Sequence, residues 1–163
     1  MSGESLLSVE NLKKHFPVGG AMLGEKQLLK AVDGISFNIH AGETFGIVGE
    51  SGCGKSTLGR VILHLLEPTS GKIYFKGSDI SSLNRENLRK LRKDMQIIFQ
   101  DPYASLNGRM TVSRIIREPL IIHGQGTRKE QEQRALQLLE VVGLNASHAG
   151  KYPHEFSGGQ RQR

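Results

Sequence analysis

A glycine-rich stretch, residues 49–57 with the sequence GESGCGKST, constrains the fold more than any other feature of this chain. It matches the pattern G-x-x-x-x-G-K-[ST] of a phosphate-binding loop. Glycines let the backbone wind around an anion because positive φ costs them little, and a helix that starts there offers unpaired N–H groups to negative charge. Residues 43–48 predict a strand before this phosphate loop, and residues 56–66 predict a helix after it. The stretch therefore predicts a strand–loop–helix unit built around a phosphate chain.

The side chains of the phosphate loop suit a triphosphate with magnesium. Lys55 can reach the β- and γ-phosphates and assist phosphoryl transfer, and the Ser56 hydroxyl can ligate Mg²⁺. An ordinary glycine-rich turn is the alternative, but four fixed positions between a predicted strand and a predicted helix rarely arise by chance. The candidate ATP-binding residues of the loop are Gly49, Ser51, Gly52, Cys53, Gly54, Lys55, Ser56 and Thr57.

A second motif, FSGGQ, occupies residues 156–160, and its serine, Ser157, stands 102 residues beyond the loop lysine (157 − 55). With the phosphate loop upstream, it resembles the signature motif of ATP-binding-cassette (ABC) ATPases, which is usually LSGGQ. The chromosome-maintenance and DNA-repair members of that superfamily carry a long insertion between the two motifs, and this spacing leaves no room for one. The spacing suits a transport cassette.

Three longer stretches carry a resemblance to the ATP-binding subunits of bacterial oligopeptide and dipeptide importers, a class that includes nickel importers. They are GESGCGKSTLGR at residues 49–60, QIIFQDPYASLN at 96–107 and YPHEFSGGQRQR at 152–163. The resemblance implies an α/β fold: an ABC-type P-loop core with a parallel sheet and a small antiparallel β subdomain, joined to a helical subdomain. We expect the core in residues 1–100 and the helical subdomain in residues 101–163.

The resemblance also implies roles for residues outside the phosphate loop. Gln100 matches a glutamine that ligates Mg²⁺ and orients the attacking water, although a surface glutamine that ends a strand is the alternative. Phe16 matches the aromatic ring that stacks on adenine; a role for His15, or core packing of Phe16, remains open. Ser157 and Gly159 match signature positions that contact the γ-phosphate held by the opposite subunit, so one cassette cannot complete its own site.

The implied cofactors are ATP and Mg²⁺. The implied partners are a second ABC ATPase subunit, most simply in a heterodimer, the transmembrane permease subunits and, indirectly, an extracytoplasmic peptide-binding protein. The implied location is the cytoplasmic face of the bacterial plasma membrane. Composition is compatible with this: no apolar run approaches a membrane span, residues 1–5 do not resemble a signal peptide, and one cysteine fits a reducing cytosol. The net charge is +6, but the basic residues are scattered, which argues against a nucleic-acid partner.

Local patterns predict the remaining elements. We expect short antiparallel strands at residues 6–9 and 31–39 around a loop at 18–27, a strand at 72–76, a surface helix at 86–93 and a buried parallel-sheet strand at 95–99. In the second half, Thr111 is a plausible N-cap for a helix over residues 112–122, which Pro119 should bend or end. Thr127 and Glu130 form a capping-box pattern, and Gly143 is a predicted C-cap.

In the family, an apolar strand ending in the Walker B aspartate, the catalytic glutamate and the switch histidine follow the signature. None of them occurs within these 163 residues. Two functional classes therefore stay open: a transport ATPase whose hydrolysis needs further sequence, and a nucleotide-binding fragment without turnover. We expect residues 1–163 alone to bind ATP weakly and not to hydrolyse it. The cargo, whether oligopeptide, dipeptide or nickel, is not encoded in these motifs.

Overall fold

The computed structural model describes residues 5–18, 27–99 and 105–163 of the chain. These residues belong to two compact units, Met1–Ile97 and Ile98–Arg163. Each unit has its own buried cluster of apolar side chains. Within the described ranges, no helix is both long and apolar enough to cross a bilayer.

The first unit is built on a four-stranded antiparallel sheet in the order β2-β1-β3-β4. Its strands are β1 (Ser5–Val18), β2 (Gln27–His40), β3 (Ser70–Phe75) and β4 (Ser78–Asp79). The predicted antiparallel strands are confirmed, and both are longer than expected because β1 and β2 pair along nearly their whole length. Most of the predicted loop at 18–27 lies outside the described residues.

The core of the first unit lies between the sheet and helix α1 (Lys55–Ile62). Leu12, Ile73 and Ile80 are almost completely buried on the sheet side, and Val61 of α1 packs into the same cluster. Burying an aliphatic side chain of this size stabilises the fold by about 1.5–3 kcal/mol. The helix that follows the phosphate loop is therefore held by the antiparallel sheet.

Two predicted strands, residues 43–48 and 95–99, are not formed. Both runs lack regular secondary structure and contain exposed apolar side chains; Val48 is 93% and Ile98 98% exposed. A strand is stable only when a neighbour takes up its backbone hydrogen bonds, and no described strand pairs with either run. The predicted parallel sheet is accordingly absent from the described residues, whose only sheet is antiparallel.

The helices of the first unit are shorter than predicted. Helix α1 ends at Ile62 instead of residue 66, because His64 adopts a positive φ of 52° that an α-helix cannot contain. Helix α2 covers Arg85–Leu91, so it begins one residue before and ends two residues before the predicted range of 86–93. The Asn84 side chain accepts a hydrogen bond from the Asn87 amide at the start of this helix.

The second unit is helical. It contains α3 (Val112–Ile122), α4 (Arg128–Val141), two short 3₁₀ turns (Ala146–Gly150 and Pro153–Glu155) and α5 (Gly158–Gln162). Leu139, Leu144 and Phe156 form its buried cluster. Because Phe156 directly precedes the serine of the signature motif, this core anchors the motif on one side.

The helix ends of the second unit follow local sequence signals. The Thr127–Glu130 capping box is confirmed: each side chain accepts a hydrogen bond from the other residue's amide. Gly143 has a φ of 73° and forms a Schellman motif, since its amide donates to the Glu140 carbonyl and the next amide to the Leu139 carbonyl. Thr111 holds the N-cap position without a side-chain hydrogen bond. Helix α3 continues through Pro119 to Ile122, so Pro119 does not end it, and a bend at Pro119 stays a prediction.

Candidate nucleotide-binding site

The phosphate loop connects the irregular segment at residues 43–48 to helix α1. Gly54 stands at the N-cap of α1 with a φ of 99°, a conformation that side chains rarely tolerate. The Ser51 and Ser56 side chains are exposed, as is the Cys53 thiol. The loop therefore presents hydroxyl groups and the N-terminus of an α-helix to solvent, the arrangement that binds phosphate.

The Lys55 ammonium lies over the loop itself. It donates hydrogen bonds to the carbonyl oxygens of Gly49, at 2.8 Å, and Glu50, at 2.6 Å, and lies 3.5 Å from the Cys53 sulfur. These contacts join the beginning of the loop to its end. They hold a positive charge at the place where the sequence predicts the β- and γ-phosphates.

Gly54 also packs directly on strand β2. A Cβ atom built at Gly54 would lie 2.0 Å from the Ala31 carbonyl oxygen, far inside van der Waals contact. A Cβ atom at Gly49 would meet the Cys53 sulfur at 2.7 Å. The loop thus needs glycine at position 54 for packing as well as for backbone freedom, whereas the Cys53 side chain can rotate away from position 49. The contact with Ala31 has no signature in the sequence, because 23 residues separate the two positions (54 − 31).

The magnesium assignment rests on the hydroxyl groups of α1. Ser56 and Thr57 lie in the first turn of the helix, and the Ser56 side chain is exposed. Among the described residues, no group of three or more His, Cys, Asp and Glu side chains is close enough to hold a metal ion. A single hydroxyl suits Mg²⁺ that takes its other ligands from phosphate and water, which is the usual arrangement in phosphate-transfer sites.

Phe16 lies near the end of β1, paired with Leu29 of β2. Its ring is half-buried and is not part of the apolar cluster under α1, in contrast to the core-packing alternative. The neighbouring His15 is engaged elsewhere: its Nε2 lies 3.0 Å from Oδ1 of Asp33, and the Lys30 ammonium lies 3.2 Å from Oδ2 of the same carboxylate. The hydrogen bond from His15, followed by that from Lys30, lowers the pKa of Asp33.

Gln100, the predicted magnesium and water ligand, lies outside the described residues. The predicted signature residue Ser157 is held by local hydrogen bonds to Gln160. The Ser157 hydroxyl accepts from the Gln160 amide at 3.3 Å, and the Gln160 side chain accepts from the Ser157 amide at 3.0 Å. Ser157 and Gly159 are both exposed at the start of α5.

Sequence reasoning missed two supports of the signature motif. Arg161 donates from Nε to the Phe156 carbonyl at 3.0 Å and from its guanidinium to the His154 carbonyl at 3.4 Å. It thereby fixes the backbone that leads into Ser157. The capping box formed by Gln160 was detectable, because serine followed three residues later by glutamine is the pattern of such a cap.

The motifs and their geometry define a nucleotide-binding cassette, and comparison with known proteins agrees. Residues 32–163 match the ABC transporter family. The chain therefore belongs to this family.

Individual relatives and a solved structure are similar over nearly the whole chain. It is 54% identical to the oligopeptide transport ATP-binding protein AppF of Bacillus subtilis (strain 168), covering 98% of this chain and 49% of that protein. It is 45% identical to the dipeptide transport ATP-binding protein DppF of Escherichia coli (strain K12), with 98% and 48% covered. The ATP-binding cassette MJ0796, solved as a dimer in a post-hydrolysis state with ADP and Pi, superposes with a TM-score of 0.80 at 30% identity, covering 95% of this chain and 65% of that one.

These comparisons confirm the resemblance and the fold class drawn from the sequence. The relatives carry peptide-transport names, and the structural neighbour is an ABC cassette. The chain spans about half the length of the curated relatives it matches.

Proposed function

We propose that the protein is the ATP-binding subunit of an ABC importer of oligopeptides or dipeptides, and that it couples ATP binding and hydrolysis to transport. The position of Lys55 carries the proposal, because the ammonium is held over a glycine loop at a helix start. The names of the relatives support peptide cargo, and nickel has no such support among those relatives. The core in residues 1–100 would bind the nucleotide, and residues 101–163 would form the helical subdomain.

In the proposed nucleotide site, different residues bind the base, the phosphates and Mg²⁺. Phe16 stacks on the adenine, and the loop from Gly49 to Thr57 surrounds the phosphates. Lys55 balances the charge on the β- and γ-phosphates, where positioning and electrostatics supply nearly all catalysis. Ser56 and Gln100 offer oxygen atoms to Mg²⁺, which when bound neutralises charge on the phosphate oxygens.

The signature motif would serve a second cassette. The Ser157 hydroxyl accepts a hydrogen bond from the Gln160 amide and retains its own hydrogen as a donor, and Gly159 adds an exposed backbone in the first turn of α5. We infer that these groups contact the γ-phosphate bound by a partner ATPase subunit, most simply in a heterodimer. The dimeric form of the similar cassette supports this arrangement. Permease subunits would hold the pair at the cytoplasmic face of the membrane and receive peptides from an extracytoplasmic binding protein.

The first experiment replaces the loop cation. Lys55→Ala should weaken binding of a fluorescent ATP analogue at least about tenfold, because a charge-assisted hydrogen bond contributes about 1.5–3 kcal/mol. Lys93→Ala is the matched control, since Lys93 is an exposed lysine outside the loop. Unchanged affinity in a folded Lys55→Ala variant would contradict the nucleotide assignment.

The second experiment tests the cargo. A strain that carries Lys55→Ala in the full-length gene should lose ATP-dependent uptake of labelled di- and oligopeptides, while its nickel uptake stays at the level of the parent. Loss of nickel uptake with normal peptide uptake would reverse the proposed cargo.

A further inference from the structure

The ring proposed to stack on adenine already carries a cation on one face. The Lys14 ammonium lies over the Phe16 ring, 5.0 Å from its centroid. This distance is within the range of about 6 Å in which a cation is attracted by the ring's negative face. Lys14 therefore occupies one face of Phe16, and a base that stacks on this ring has to lie on the opposite face.

Phe16 and the phosphate loop are linked through strand β2 of the same unit. Phe16 pairs with Leu29, two residues along β2 from Ala31, whose carbonyl oxygen packs against Gly54. The ring and the phosphate loop thus both meet the same short stretch of β2, so the proposed site has its base and its phosphates along this stretch.

We propose that Lys14 is a positioning residue that acts through Phe16 and strengthens its stacking on a purine base. The inference rests on the nucleotide site proposed above. A cation over one face draws π-electron density toward itself, so the other face becomes less electron-rich and stacks better on an electron-rich purine. The same ammonium keeps the ring from turning, because rotation would break the contact.

Calorimetric titration of the whole chain with ATP and with inorganic tripolyphosphate tests this. Tripolyphosphate has the charge of the nucleotide but no base. Lys14→Met keeps the aliphatic stem and removes the charge. It should lower the affinity for ATP about two- to fivefold, the equivalent of about 0.5–1 kcal/mol for an exposed cation–π contact. The affinity for tripolyphosphate should stay unchanged in Lys14→Met. In a Phe16→Leu background, Lys14→Met should have no further effect.

Lys13→Met is the matched control, because it makes the same charge change one residue away, on the opposite face of β1. It should leave both affinities unchanged. An equal loss for ATP and tripolyphosphate in Lys14→Met, or a loss that persists without the ring, would show that Lys14 acts on the phosphates and would overturn the proposal. Unchanged ATP affinity in Lys14→Met or in Phe16→Leu would also overturn it. Failure of the nucleotide site itself is distinguishable, since Lys55→Ala would then leave both ligands unaffected.

Discussion

Gly54→Ala should separate the packing of the phosphate loop from the conformational freedom of its glycines. The new methyl group would lie 2.0 Å from the Ala31 carbonyl oxygen and 3.2 Å from its carbonyl carbon. Both atoms belong to the backbone of a paired strand, so they cannot rotate away as a flexible side chain can. Either β2 or the N-terminus of α1 has to move.

Two costs combine at this position. A residue with a Cβ in a left-handed conformation costs about 1–2 kcal/mol. Forcing an extra methyl group into packed surroundings costs about 1–3 kcal/mol more. We therefore expect Gly54→Ala to lower the free energy of unfolding by about 2–5 kcal/mol. It should also lower the affinity for ATP, because α1 and the loop shift together.

Two other glycines supply matched controls in a urea-unfolding series. Gly42 has a φ of 79° but open space around its Cβ position, so Gly42→Ala should show the conformational cost alone. Gly59 lies inside α1 with nothing near its Cβ position, so Gly59→Ala should stabilise the protein by up to about 1 kcal/mol. If Gly54→Ala costs no more than Gly42→Ala, the contact between the loop and Ala31 is refuted.

Two further predictions concern the loop cysteine and the helical unit. Cys53 is exposed and is the chain's one cysteine, so a maleimide should label it selectively. The label should block ATP binding, and saturating Mg-ATP should slow the labelling. A labelling rate that does not change with nucleotide would contradict the assignment of the phosphate loop. Glu132 accepts hydrogen bonds from Arg128 and Arg117, at 2.9 and 3.0 Å, and the Arg128 bond lowers its pKa. Its stabilising effect should be fully present above the ordinary glutamate pKa of about 4.3 and should be lost as pH falls through the lowered folded-state pKa. Glu132→Gln should remove this part of the pH dependence of the free energy of unfolding, measured by unfolding at several pH values, and Glu140→Gln should not. An unchanged pH profile in Glu132→Gln would refute the stabilising role of the Glu132 hydrogen bonds to Arg117 and Arg128.

The sequence by itself determined the features that depend on neighbours within a few residues. The bounds of α3, the Thr127–Glu130 capping box and the left-handed Gly143 all agree with prediction. Each depends on hydrogen bonds or steric limits between residues up to about five positions apart, so the local sequence contains the information. The phosphate loop was recognisable for the same reason, because its glycines and lysine have fixed spacing.

Tertiary structure alone decided which apolar runs became strands and what the loop residues touch. Residues 43–48 and 95–99 have the composition of strands, yet neither is paired among the described residues. The Gly54 contact with Ala31 and the Lys14 contact with Phe16 depend on how β1, β2 and α1 come together. A strand or a packing contact is stabilised by a partner distant in the chain, and composition does not specify where that partner lies.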